Sequence, residues 1–352
     1  MKNPLPYPLF LAIILFYSCS KSSSEQSVQP IKPPVTPATN QTPDVYATGA
    51  VYRGLSIAAF WKNDSLVEMT QSPMIGEGLD IAVSGKDVYV CGYYRGSGDL
   101  QACYWKNGQM VDLSHGYSFE LAKAIAINGQ DVYIAGYGLN ANNYRVAEIW
   151  KNGVRTQISP DNCWVDINGI YISGSDVYVV GILSSPSNYT NALMVWKNGV
   201  MSSVTEGTKE TRASGIFVSG NDIYVSGQEF IPSAGTGVGT YIAKYWKNGQ
   251  PFVLSDSAKT TYTSSIMVSG QDVFVTGYES PGGISDPTFY KVGKFWKNSV
   301  LTDLPGGAKS TQLMQSAMWN SDLYIAGTEI GTANGISAFC FKNNEQMLYT
   351  DG

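Results

Sequence analysis

Repetition in the sequence predicts an all-β chain, a β-propeller of seven four-stranded antiparallel blades. Three observations predict it. The phrase Asp-Val-Tyr, fullest in Asp131-Val132-Tyr133-Ile134-Ala135-Gly136, recurs with small changes from Asp44, Asp87, Asp131, Asp176, Asp222, Asp272 and Asp322. A second phrase, Trp-Lys-Asn-Gly or a close variant, follows each copy at Trp61, Trp105, Trp150, Trp196, Trp246, Trp296 and, with Phe in place of Trp, at Phe341. No stretch carries a sustained helical period with caps; short β-branched and aromatic runs bounded by Gly, Asn, Ser and Asp recur instead.

Each repeat reads as four strands. In residues 122–159, Ala124 to Ile127 is the innermost strand and Asn128-Gly129 turns the chain into a second, Asp131 to Ala135. After a loop, Val146 to Trp150 is the third, and Asn152-Gly153 leads into an outer one, Val154 to Ile158. Asn-Gly between apolar runs favours the two-residue hairpin turn that matches strand twist, and Ser-Gly at Ser84-Gly85, Ser173-Gly174, Ser219-Gly220 and Ser269-Gly270 serves likewise. Antiparallel strands in fours at a repeat of 43 to 50 residues are the mark of a propeller. Only six inner strands are legible, so the reading is seven blades with one short of its inner strand. The alternative is a six-bladed ring with a spare hairpin. Residues 28–40 are too rich in Pro to supply the missing strand.

The strand order resembles NHL-type propeller repeats, with an inner Ile-Ala-Val-like strand before a Val-Tyr-Val-like one. The Trp-x-x-Gly hairpin resembles the extracellular HAF repeats. This resemblance implies the fold and carries no catalytic residue.

The chain divides into three parts. Residues 1–19 resemble a bacterial lipoprotein signal peptide: Lys2, the apolar run Leu9 to Phe16, then Ser18 before Cys19. The resemblance implies cleavage before Cys19, a lipid (palmitate among the acyl chains) on its thiol, and a membrane partner through that lipid. The other reading is an ordinary secretory signal. Residues 20–43, with Pro30, Pro33, Pro34, Pro37 and Pro43 among Ser, Thr and Gln, read as a disordered tether. Residues 44–352 are the propeller body, expected to be monomeric. The expected location is the bacterial outer membrane, on its periplasmic or its cell-surface face.

The spacing shows which face varies. Every Trp lies 26 residues before the next repeat's Asp, whereas the Asp-to-Trp (or Phe341) distance runs 17, 18, 19, 20, 24, 24 and 19. All length change therefore sits in the loop between second and third strands. In a four-stranded meander that loop shares a face with the blade-to-blade crossovers, and both tight hairpins open on the other. Variable loops on a rigid scaffold are where binding resides. Loops 93–101, 137–146, 182–192, 228–241, 278–292 and 328–336 and the crossovers supply the candidate ligand contacts Tyr93, Arg95, Tyr117, Tyr144, Trp164, Tyr189, Tyr262 and Phe289. Rigid aromatics among small polar residues suit sugars or protein surfaces. The competing reading is that they cover the rim.

Composition narrows the chemistry. Charged residues are 14% of the chain and the net charge is −5, which argues against a nucleic-acid partner. No spacing suits a transition metal or calcium, and no cofactor is implied. The one His, His115, has no Ser or Cys constellation and is expected at the surface, so no catalytic residue is assigned. Glu77, Asp99, Glu206, Glu229 and Asp286 could meet on the variable face, which sequence does not decide. The repeated Asp and Lys read as turn chemistry, Asp bonding turn amides and Lys keeping exposed hairpins soluble, rather than as a surface for anionic lipid or polymer. Cys91 and Cys103 could face one another across one blade; a small buried thiol is the simpler reading. The expectation is a non-enzymatic binding module for glycan or protein. A polysaccharide hydrolase or lyase and a structural scaffold are the alternatives.

Overall fold

A computed structural model describes residues 12–15, 44–63, 65–96, 98–184, 191–233, 239–282, 290–302, 310–319, 322–330, 336–343 and 345–349. They form seven four-stranded antiparallel sheets, each ordered from inner to outer strand along the chain, and no helix. This is the seven-bladed propeller that the repeats predict.

The repeat phrases are hairpin chemistry. The turn between first and second strands is closed by pairs such as Asn128 with Asp131, leaving Gly129 and Gln130 as its central residues, with Gly129 at φ +61°. The turn between third and fourth strands is closed by Lys151 with Val154; Asn152 and Gly153 both have positive φ, 50° and 81°. These are the mirror-image turns that fit paired, right-twisted strands. Each turn Asn then joins its own hairpin to the neighbouring one. Asn152 Oδ1 accepts from Val132 N–H at 2.8 Å, and its Nδ2 donates to Asp131 Oδ1 at 2.8 Å. Lys151 Nζ lies 2.8 Å from Asp131 Oδ2, over the Tyr133 ring at 5.1 Å.

The same Asn-to-Asp bond and Lys–Asp pair recur in every blade, from Asp44–Asn63–Lys62 to Asp322–Asn343–Lys342. The Lys partner is the first cause that holds these Asp carboxyls below their usual range. So the repeat charges pair with each other across adjacent hairpins, a link beyond the turn-amide and solubility roles expected of them.

The Gly that ends the first phrase has a different cause. Every inner strand from blade 2 onward carries a bulge opposite it, as between Ala135 and Gly136 and between Gly78 and Asp80. The bulge tips a carbonyl into the Gly: a Cβ on Gly136 would lie 1.9 Å from Leu121 O, and one on Gly277 2.0 Å from Tyr262 O. Only a residue without a side chain fits.

The Trp of the second phrase packs between blades. Trp105, Trp150, Trp196 and Trp296 are all fully enclosed. Each such ring contributes about 1.5–3 kcal/mol by leaving water. Trp196 also donates its indole N–H to Ile158 O at 2.8 Å, joining blade 4 to the preceding crossover. Cys91 and Cys103 belong to core clusters on opposite faces of blade 2, because Cys91 pairs with Tyr104 and Cys103 with Gly92. Both are free thiols and cannot bridge.

One expectation changes. The blade read as short of its inner strand has one in the full chain: Ala12–Leu15 pairs antiparallel with Val45–Thr48. It comes from the apolar run that was expected to lie outside the fold. A regular Ile-Ile-Leu run is interchangeable with Ile-x-Val in backbone terms, and hydropathy alone does not separate a leader from a buried strand. Across the ring seam, blade 7 meets blade 1 face to face through Val45, Ala47, Tyr324, Ala326 and Cys340, with Trp61 and Ala317 against them.

Candidate functional site

The inner strands enclose a central channel with two different halves. Toward the tight hairpins it opens into a cavity of 690 Å³ lined by Ile127, Tyr171, Phe217, Met267 and Met318, with Asp80 at its inner end. At the level of the bulges the lining turns polar. Asp80 Oδ1 accepts from Ile81 N–H and Oδ2 from Ile125 N–H of blade 3, both at 2.9 Å, and burial pushes this carboxyl up to about 7. Hydroxyl pairs join further blades there: Thr263 with Ser214 at 2.9 Å and Ser265 with Ser316 at 3.3 Å. Such struts satisfy polar groups that the bulges expose inside the channel.

Beyond the bulges, at the variable-loop mouth, charged and aromatic side chains gather on blades 2, 3 and 4. Tyr93 donates to Glu77 Oε2 at 2.8 Å. Lys123, the extra residue of its bulge, acts on both Glu77 and Asp166. Burial raises both carboxyls above their usual range, opposed at Glu77 by Tyr93 and Lys123 and at Asp166 by Lys123 and Arg145. The Arg145 guanidinium lies 5.0 Å from the Tyr137 ring and 5.4 Å from that of Trp164, within cation–π range. Burial pushes Tyr137 up to about 12, helped by Asp166. Trp164 remains 40% exposed, and Asp166 stands two residues further along the same strand. Asp166 Oδ1 and Asn168 Oδ1 are buried without a protein donor.

Across the mouth, blades 5 and 6 build an aromatic wall. Tyr262 sits between Tyr241 at 5.5 Å and Tyr278 at 5.1 Å. Arg212 caps Tyr241 at 4.5 Å and Lys291 covers Tyr278 at 4.6 Å. Tyr241 donates to Glu210, so its hydroxyl is held.

Of the expected ligand contacts, then, Tyr93 and Trp164 join one cluster and Tyr262 stands in the facing wall. Arg95 is exposed at the end of its strand, opposite Ile75. Tyr144 is half-buried in a loop held by Asn140, whose Oδ1 accepts its N–H at 3.1 Å. Tyr117 belongs to another cluster, below. Tyr189, Phe289 and Asp286 lie outside the described residues. Among the suggested carboxylates, Glu229 is held by Lys209 and Lys244, each at 2.9 Å, while Asp99 and Glu206 are exposed. Lys123, Tyr137 and Asp166 were not anticipated. The bulge shifts which side chains face the channel; the repeat glycine opposite it was the signal that could have placed it, since a glycine inside a strand marks a bulge or a close backbone approach.

His115 is exposed, as expected, but its ring has carboxylate partners that the sequence did not reveal. Its Nδ1 lies 2.9 Å from Glu120 Oε1 and its Nε2 3.3 Å from Glu148 Oε1, and both glutamates are fully enclosed. Arg155 Nε donates to Glu148 Oε1 at 2.7 Å, and its Nη2 to Tyr117 OH at 2.9 Å. Burial pushes Glu148 up to about 7 and raises Glu120, while burial and the Arg155 charge hold His115 down. The environment therefore favours the protonated form of Glu148 and the neutral form of His115. The lone His thus sits over two enclosed carboxyls, which the sequence did not suggest. Its partners all belong to blade 3 and the crossover before it, and Tyr117 braces this cluster through Arg155. Among the described residues no group of three His, Cys, Asp or Glu is placed to hold a metal ion.

No family model and no curated protein sequence matches the chain. Similarity appears among solved structures. A puromycin-hydrolysing peptidase of Mycobacterium tuberculosis superposes with a TM-score of 0.57 at 10% identity, covering 87% of this chain and 52% of that one. An acylaminoacyl peptidase of Pyrococcus horikoshii gives 0.52 at 11% identity, covering 88% and 50%. The chain spans about half the length of these two proteins. A six-bladed propeller lectin of Aleuria aurantia gives 0.40 at 11% identity, covering 79% and 95%. At these identities the likeness to the two peptidases establishes the fold alone. It also corrects the expectation of a non-enzymatic module: the fold is shared with enzymes, and this chain carries buried carboxylates and a His–Glu group, so that exclusion does not stand.

Proposed function

We propose that the chain is a lipid-anchored, extracytoplasmic propeller that recognises a carbohydrate at the variable-loop mouth of its channel. Lipidated Cys19 would be the anchor on the bacterial outer membrane and residues 20–43 the tether. The resemblance of the repeats to NHL-type and extracellular HAF units supports that setting. The observation that carries the ligand class is Trp164, a 40% exposed indole with Arg145 5.4 Å from its ring. The C–H face of a sugar ring stacks on an indole, and its hydroxyls bond to charged planar groups beside it. Asp166 Oδ1 and Asn168 Oδ1, buried without a protein donor, suit such hydroxyls. Tyr93 and Tyr262 line the two sides.

A second reading is that the mouth also cleaves the glycan. It is favoured by Glu77 and Asp166, two carboxyls raised by burial on either side of Lys123.

The test is binding of the purified chain to an array of glycans and peptidoglycan fragments, with mass spectrometry of whatever is bound. Loss of a specific hit in Trp164→Ala, with the circular-dichroism spectrum unchanged, is the expected result. Shortened products that vanish in Asp166→Asn would favour the cleaving reading. Absence of any glycan hit, or a hit indifferent to Trp164→Ala, would overturn the proposal and turn attention to protein ligands.

A further inference from the structure

Blade 1 differs from the other six in how its inner strand is supplied. In blade 2 the inner strand Ile75–Ser84 runs directly through a two-residue turn into the second strand. In blade 1 the paired segments Ala12–Leu15 and Val45–Tyr52 are separated by residues 16–44. The register is nevertheless that of the repeat. Leu15 is opposite Val45 and Ile13 opposite Ala47, matching Val83 opposite Val88 and Ile81 opposite Val90. Ile81 and Val83 are buried, so this position takes large aliphatic residues at alternate places. Among the described residues the pairing covers Val45–Thr48 of a second strand that runs to Tyr52.

The apolar run that supplies Ala12–Leu15 is also the run expected to be removed before Cys19. Its loss would uncover the inner edge of Val45–Tyr52, on the flank where Ile75–Ser84 of blade 2 and Ser310–Trp319 of blade 7 stand as neighbouring inner strands. The remaining N-terminal segment is poorly suited to replace it. The residues that would sit before the turn at Asp44 include Pro33, Pro34 and Pro37, which lack the N–H a ladder needs. A second copy would offer the same segment, so it is excluded by the same chemistry. An unpaired edge between two formed strands is a template for strand addition.

We propose that the inner-strand position of blade 1 is a strand-acceptor site. The unprocessed chain fills it with its own Ala12–Leu15, and the processed chain fills it with an extended segment of a partner protein carrying Ile, Val or Leu at alternate positions. This rests on the reading that the chain is cleaved before Cys19. Ring completion is thereby coupled to partner binding, on an edge separate from the loop mouth.

The experiment compares the processed protein isolated from membranes with the unprocessed full chain. Mass spectrometry first establishes the N-terminal residue of each. The probe is the peptide Glu77–Ser84, the protein's own inner-strand sequence from blade 2, with its Ile81→Asp version as control. Amide hydrogen exchange over residues 45–52 and peptide fluorescence anisotropy are read together. In the processed protein the expected result is rapid exchange at 45–52, slowed about tenfold or more by the peptide and unaffected by the control. The full chain should be protected there already and should not bind. Full protection of the processed protein without peptide would overturn the proposal, as would an exposed edge that the peptide does not slow. A membrane form that still carries residues 12–15 would instead overturn the cleavage reading, and the acceptor site with it.

Discussion

The glycines of this chain fall into classes that a single type of substitution should separate. Gly136, Gly129 and Gly169 are all replaced by Ala, one at a time. At Gly136 the added Cβ would stand 1.9 Å from Leu121 O and 3.0 Å from Leu121 C, both backbone atoms. A carbon and an oxygen in contact stand more than about 3 Å apart, so roughly an ångström of overlap must be removed by moving one strand off the other. That undoes the bulge and the hydrogen bonds around it, at a cost of about 3 kcal/mol or more. At Gly129 nothing lies within 4 Å of the added atom, and the only penalty is backbone strain at φ +61°, about 1–2 kcal/mol. At Gly169 the nearest atom is Val180 Cγ1 at 3.3 Å, the end of a side chain, and φ is not positive. There the change should be near neutral, because Ala also narrows the unfolded ensemble by about 0.4–1 kcal/mol. Urea unfolding followed by Trp fluorescence, analysed at a common slope, gives the three differences. The expected order of loss is Gly136, then Gly129, then Gly169. If Gly136→Ala cost no more than Gly129→Ala, the repeat glycine would be a matter of chain flexibility and the explanation from the bulge would be wrong.

Two further outcomes follow from the hairpin face and the channel. Asn152→Gly keeps a residue at ease with φ +50° but removes the bonds to Val132 N–H and Asp131; it should cost about 1–2 kcal/mol in thermal unfolding and speed exchange of the Val132 amide. Unchanged exchange would show that the turn holds without its side chain. Asp80 binds its proton more tightly in the fold, at about 7 against 3.8. The folded state therefore holds more protons across that window, and stability should fall as pH rises through it and then level off. The paired repeat Asp residues have the opposite sign, losing their contribution only below their ordinary range. In calorimetry, Asp80→Asn should be less stable overall, since one amide partner loses its acceptor, but with a flatter slope between about pH 5 and 7. An unchanged slope would assign the dependence to other groups, Glu148 first.

Much of this architecture is local chemistry, and local chemistry is written in sequence. Asn-Gly and Ser-Gly turns select two-residue hairpins whatever surrounds them, so strand order, the seven repeats and the face carrying variable loops follow from spacing alone. The pairing of Asp131 with Lys151 and Asn152 was not legible, although both phrases read as turn chemistry, because it depends on two adjacent hairpins lying side by side. The tertiary structure decided what depends on register across strands and between blades. A one-residue bulge, legible only as the repeat glycine opposite it, put the Lys123 charge within reach of Glu77 and Asp166, residues 46 and 43 positions from it. Closing the ring brought Trp164 beside Arg145, folded His115 between Glu120 and Glu148, and seated Ala12–Leu15 against Val45–Thr48. Periodicity specifies which way a side chain alternates; only the assembled sheet specifies what it meets.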